Sequence, residues 1–93
     1  MIEPRLDLVE DDGHLYLEIA VPGVVESDID VTLVGARIIL MADRPAPRGA
    51  YLHQEIDRGI LARSVDLPYA VDLVGASYED GFLRLELRRR AGA

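Results

Sequence analysis

Apolar residues recur at every second position through several short stretches, and a period of two fits an extended strand with one buried face. Leu15, Leu17, Ile19 and Val21 alternate with His14, Tyr16, Glu18 and Ala20. Ile29, Val31 and Leu33 alternate with Asp28, Asp30 and Thr32, and Leu61, Arg63, Val65 and Leu67 with Ala62, Ser64 and Asp66. The runs Leu6–Val9, Ile38–Ala42, Leu73–Tyr78 and Phe82–Leu87 complete the series. Turn chemistry separates them: Asp11-Asp12-Gly13, Pro22-Gly23, Gly35-Ala36, Pro68 and Glu79-Asp80-Gly81. Val24 to Ser27 is left as a loop or a single helical turn. With no amphipathic stretch of helical length, the chain is all-β, an antiparallel β-sandwich of seven to eight strands.

Ninety-three residues allow one domain. Residues 4–88 are expected to form the sandwich, 43–59 a long loop and 88–93 a charged tail. Within the loop, Arg44-Pro45-Ala46-Pro47-Arg48-Gly49 is a stiff solvated linker leading to a strand-like Tyr51-Leu52-His53-Gln54-Glu55-Ile56. A connection of that length inside a compact domain usually has a function.

Seventeen acids against ten bases give a net charge of −7, the wrong sign for phosphate backbones or anionic lipid. Nucleic acid and membrane are therefore not expected partners. The longest uncharged stretch, Ile19 to Val25, is far short of the ~20 residues of a membrane helix. The first residues, with Glu3, Arg5 and Asp7, do not read as a secretory leader, so a cytoplasmic location is expected. All ten bases are Arg, and there is no Cys. Schiff-base lysines, phosphate-loop lysines, thiol catalysis and thiolate metal sites are thereby removed.

No catalytic, metal or cofactor-binding residue is assigned. His14 and His53 lie on separate segments, and Glu10-Asp11-Asp12 lacks the ordered spacing of a calcium loop. Ser27, Ser64 and Ser77 have no nucleophile elbow, and Gly35 and Gly49 do not make a phosphate cradle. Arg63 stands out because it shares the apolar parity of Leu61, Val65 and Leu67, where a charge needs a partner or an opening to water.

Four blocks in order carry a resemblance over nearly the whole chain. They are Ala20-Val21-Pro22-Gly23-Val24 with Asp28-Ile29-Asp30-Val31, then Ile38 to Arg44, then Glu55, Gly59, Arg63, Leu67 and Pro68, then Ala76 to Leu83. Together they resemble the α-crystallin domain of small heat-shock proteins of bacterial type. Ala42-Asp43-Arg44 stands where the family usually has Gly-Glu-Arg, Ile56 where it has Arg, Leu61 where it has Phe, and Phe82 where it has Val.

The resemblance implies an immunoglobulin-like sandwich and an ATP-independent chaperone, a holdase with no cofactor, that binds partly unfolded client proteins. It implies a homodimer in which Tyr51 to Ile56 (Tyr51, Leu52, His53, Gln54, Glu55 and Ile56) crosses to the partner's first strand at Leu6 and Leu8, with Arg63 at the dimer contact beside an acid. It also implies a groove for clients or tails at Val31, Leu33, Leu73, Val74, Ala76 and Tyr78. The family's N-terminal arm and Ile-x-Ile tail have no counterpart in this sequence. A larger oligomer, or co-assembly with a longer paralogue, stays open beside the dimer. The alternative reading is a CS-domain-like adaptor without holdase activity of its own.

Overall fold

The structure, a computed structural model, describes residues 2–92; Met1 and Ala93, which close the expected domain and tail, lie outside the described residues. Seven strands follow one another: β1 (Leu6–Asp11), β2 (His14–Ala20), β3 (Ile29–Val34), β4 (Arg37–Arg44), β5 (Gly59–Asp66), β6 (Val71–Glu79) and β7 (Phe82–Arg89). A 3-10 turn at Glu26–Asp28 precedes β3. All pairings between strands are antiparallel, in a four-stranded sheet ordered β1-β2-β7-β6 and a three-stranded sheet ordered β3-β4-β5.

The parity read from the sequence is the parity of burial. Leu15, Leu17, Ile19 and Val21 of the first sheet face Ile38, Leu40, Ala42 and Leu61 of the second, all nearly inaccessible. Leu83, Leu85 and Leu87 of β7 join the same layer. A fully buried aliphatic side chain of this kind contributes about 1.5–3 kcal/mol.

Two expectations are corrected, at Arg88–Arg89 and at the start of β6, and Tyr51 to Ile56 and Arg63 are described within the single chain. Tyr51 to Ile56 is not a strand in the single chain: β4 ends at Arg44, β5 begins at Gly59, and the connection is irregular and exposed. Arg88 and Arg89 belong to β7 and not to a tail, with Arg88 opposite both His14 and Asp72. β6 starts at Val71, two residues earlier than the alternation suggested, and its register shifts between Leu73 and Gly75. Arg63 is half-buried, and its Nη1 donates at 3.0 Å to the backbone carbonyl of Pro4, so within the chain its partner is a peptide oxygen and not an acid.

That contact belongs to a tie along one flank of the sandwich. The Ile2 amide donates to the Ile60 carbonyl (3.1 Å) and the Ala62 amide to the Ile2 carbonyl (2.9 Å), while the Ala20 amide donates to the Arg5 carbonyl (2.9 Å). Residues 2–5 thus bond to β5 of one sheet and β2 of the other. Among the described residues no backbone hydrogen bond joins β3 to β6 on the opposite flank.

Two of the hairpins close through Asp-Gly turns with positive φ at both residues: Asp12 (50°) and Gly13 (79°), Asp80 (54°) and Gly81 (82°). This is the turn whose twist matches that of the strands. A Cβ on Gly81 would lie 3.0 Å from the Pro22 Cα, whereas one on Gly13 would meet nothing within 4 Å. Gly13→Ala therefore measures the cost of φ alone, about 1 kcal/mol, and Gly81→Ala should cost at least about 1 kcal/mol more because backbone must move. Denaturant unfolding of the two variants checks the difference.

Candidate functional site

The untied flank is a groove of about 340 Å³. It lies between two sheet edges, because β3 ends one sheet and β6 ends the other. β3 supplies Ile29, Val31 and Leu33, and β6 supplies Leu73 and Ala76. Ile38 of β4 and Leu83, Leu85 and Leu87 of β7 form the floor, so the groove opens directly onto the core. Leu73 is 53% exposed and Val31 38%. Apolar rims of this kind above unpaired strand edges are surface that a monomer ordinarily covers.

An irregularity in β6 shapes this wall. Leu73 stands opposite Leu87, Gly75 opposite Glu86 and Ala76 opposite Leu85, so Val74 is an extra residue between paired neighbours. The bulge switches the phase of alternation, and Leu73 and Ala76, three residues apart, come to share the inner face. Val74, named with them from the sequence, is exposed and stands outside the groove lining.

Tyr78 also stands outside the lining, for a different reason. It is half-buried against the core, and its hydroxyl lies 2.6 Å from the Val24 carbonyl and 3.1 Å from that of Val21. The side chain thereby holds the Pro22-Gly23 loop and the 3-10 turn, which close one end of the groove. Glu26, on that turn, is the one charged residue of the lining. Sequence reasoning missed Glu26 because a loop residue has no parity, and it missed the floor residues because they read simply as core.

The residues expected at a dimer contact lie on β1, on the β4–β5 connection and on β5. Leu6 packs against the core, and Leu8, opposite Leu17, is 37% exposed on β1, whose outer edge is unpaired. Tyr51, Leu52, His53, Gln54, Glu55 and Ile56 are all exposed. The loop is organised mainly from within: His53 Nε2 lies 2.7 Å from Glu55 Oε2, and Gln54 Nε2 donates to the Ile56 carbonyl. Its base is fixed by Arg44, which donates to the carbonyls of Pro22 (2.7 Å) and Asp57 (2.9 Å).

A second hollow of about 350 Å³ lies on the outer face of the four-stranded sheet, over Gly75. Its walls include the Arg84–Glu18 ion pair at 2.7 Å and half-buried Glu86 beside Tyr16, Leu17 and Leu85. Among the described residues no three His, Asp or Glu side chains converge as a metal site would require. The Tyr69 hydroxyl donates to Glu10, and this hydrogen bond raises the phenol's pKa above its usual value. It ties the β5–β6 connection to the end of β1.

A family model described as Hsp20/alpha crystallin family matches residues 7–93. Among curated relatives, the probable 15 kDa heat shock protein of Leptospira interrogans is 30% identical over 94 residues, covering 97% of this chain and 72% of that protein. The small heat shock protein IbpB of Klebsiella pneumoniae is 27% identical over 81 residues. That match covers 85% of this chain and 57% of IbpB, so the chain spans little more than half of that relative. Among solved structures, hspA from Xanthomonas axonopodis superposes with a TM-score of 0.85 at 23% identity, covering 100% of this chain and 99% of that one.

Tyr78→Phe keeps the ring packing and removes the donor from two backbone carbonyls, one of them on buried Val24. It should lower stability by about 1 kcal/mol, and amide exchange at residues 24–28 should rise more than exchange in β2. Denaturant unfolding and exchange measured by NMR check both.

Proposed function

Because the chain belongs to the Hsp20/alpha crystallin family, a family of small heat-shock chaperones, we propose that it is an ATP-independent holdase that captures partly unfolded proteins. The observation that carries this reading is the apolar groove between the two unpaired edges β3 and β6. An extended client segment, or the tail of a neighbouring copy, adds along such an edge through main-chain hydrogen bonds while alternate side chains enter the groove. Binding alone accounts for the activity, so nucleotide, metal and covalent steps have no part in it, and the place of action is the cytoplasm.

Dimerisation belongs to the same reading. β1 has an unpaired outer edge with Leu8 part-exposed, and Tyr51, Leu52 and Ile56 leave apolar surface in water on the loop. Laying residues 51–56 along the partner's β1 satisfies both at once, and Pro45 and Pro47 lower the entropy lost when the loop is fixed. Arg63, on the edge strand β5 and bonded to Pro4, supports the segment leading into β1.

Two outcomes follow. A heat-unfolding client should scatter less light as this protein is titrated in without nucleotide, and Leu73→Asp should weaken that suppression several-fold while the fold persists. No suppression by a folded sample would leave the adaptor reading. Separately, replacing Leu52 and Ile56 together by Asp should halve the mass seen by sedimentation at micromolar concentration with little change in the unfolding of the monomer, since both side chains are exposed. An unchanged mass would remove strand exchange through this segment.

A further inference from the structure

Glu26 is the single charge in an otherwise apolar lining, and the backbone turn that carries it is held in place. The 3-10 turn that carries it is closed by the Asp28 amide donating to the Val25 carbonyl at 2.8 Å, and Tyr78 holds the Val24 carbonyl immediately before it. The Glu26 carboxylate has no hydrogen-bond or ion-pair partner among the described residues, in contrast to Asp66 and Asp72, which pair with Arg37 (2.8 Å) and Arg90 (3.2 Å). Its end of the groove is therefore negative and uncompensated.

We propose that Glu26 makes the groove selective for apolar segments flanked by lysine or arginine. The inference rests on the groove reading above and names the chemistry of its occupant. When an apolar segment fills the groove, the carboxylate loses water on that side. A cation on the segment restores its solvation and adds attraction, a neutral flank leaves the loss uncompensated, and an acid adds repulsion. The expected order of affinity is lysine flank, then glutamine, then glutamate. Such a preference suits a partner for unfolding chains, in which apolar runs are commonly bordered by charged gatekeepers.

The test uses three blocked ten-residue peptides that share two isoleucines spaced by one residue and carry lysine, glutamine or glutamate at both ends. Their binding to the full chain is followed by fluorescence anisotropy. The lysine peptide should bind about threefold tighter than the glutamine peptide and about tenfold tighter than the glutamate peptide, with the gap shrinking as salt rises. Because the whole chain carries −7, a general field would give the same order, so two variants separate the causes. Glu26→Gln should reduce the lysine-to-glutamine ratio to near one, and Asp11→Asn, on exposed β1, should leave it unchanged. A ratio that survives in Glu26→Gln, or falls equally in Asp11→Asn, overturns the proposal. Equal binding of all three peptides overturns it while leaving the groove reading intact. No binding by any peptide, with the protein folded, overturns the groove reading itself.

Discussion

Everything else in this molecule depends on one layer of aliphatic side chains held between two sheets that residues 2–5 tie together at one flank, while at the other flank β3 and β6 share no backbone hydrogen bond among the described residues. Residues 2–5 bond to β5 and to β2, and Arg63 adds a third link through Pro4. At the other flank the sheets part, and Leu83, Leu85 and Leu87, which are core residues by burial, also floor an open groove. The core and the candidate site are thus the same set of side chains viewed from inside and outside. Enlarging the groove would thin the core, which limits how far such a surface can be altered without loss of stability.

The bulge at Val74 shows how one inserted residue changes what a strand presents. Without it, the faces of β6 would alternate strictly, and Ala76 would turn outward with Asp72. With it, β6 keeps Leu73, Ala76 and Tyr78 inward, opposite Leu87, Leu85 and Leu83. The disruption also bends the edge, one of the ways in which strands avoid unplanned pairing. A partner is then favoured by fit to the groove as well as by backbone hydrogen bonds, which any extended chain could offer.

Strands whose burial follows a period of two are readable from residue order: β2, β5 and β7 fall where Leu, Ile and Val alternate largely with polar residues, and β4 falls on the apolar run Ile38–Ala42. The resemblance placed Val31, Leu33, Leu73 and Ala76 together, and the structure brings those four to one groove. What escaped reading has physical causes. A bulge is signalled only by Gly75 within a strand, too weak a cue to shift the phase assigned to Val74. Tyr78 has the parity of a lining residue, but its hydroxyl needs acceptors and finds them in the loop. Arg63 has the parity of an inward residue, yet residue order does not say that the N-terminal segment folds back to offer it a carbonyl. Tyr51 to Ile56 has strand composition and no strand within the chain, because composition alone does not supply a paired backbone.

The charge distribution completes the argument about what such a fold can bind. Arg37, Arg84 and Arg90 each meet an acid on the surface, and exposed pairs of this kind contribute little to stability. Their consequence is instead to cancel local fields over much of the sandwich, leaving the excess negative charge concentrated where acids have no cation nearby. Glu26, Asp28 and Asp30 lie together at the start of β3 without an ion-pair partner among the described residues. An apolar groove with a neutral rim would accept any hydrophobic segment, including those of its own copies. If Glu26 selects as proposed, the negative end disfavours acidic segments such as Asp7 to Asp12 of a neighbouring chain and leaves the edge strands to partners of opposite sign.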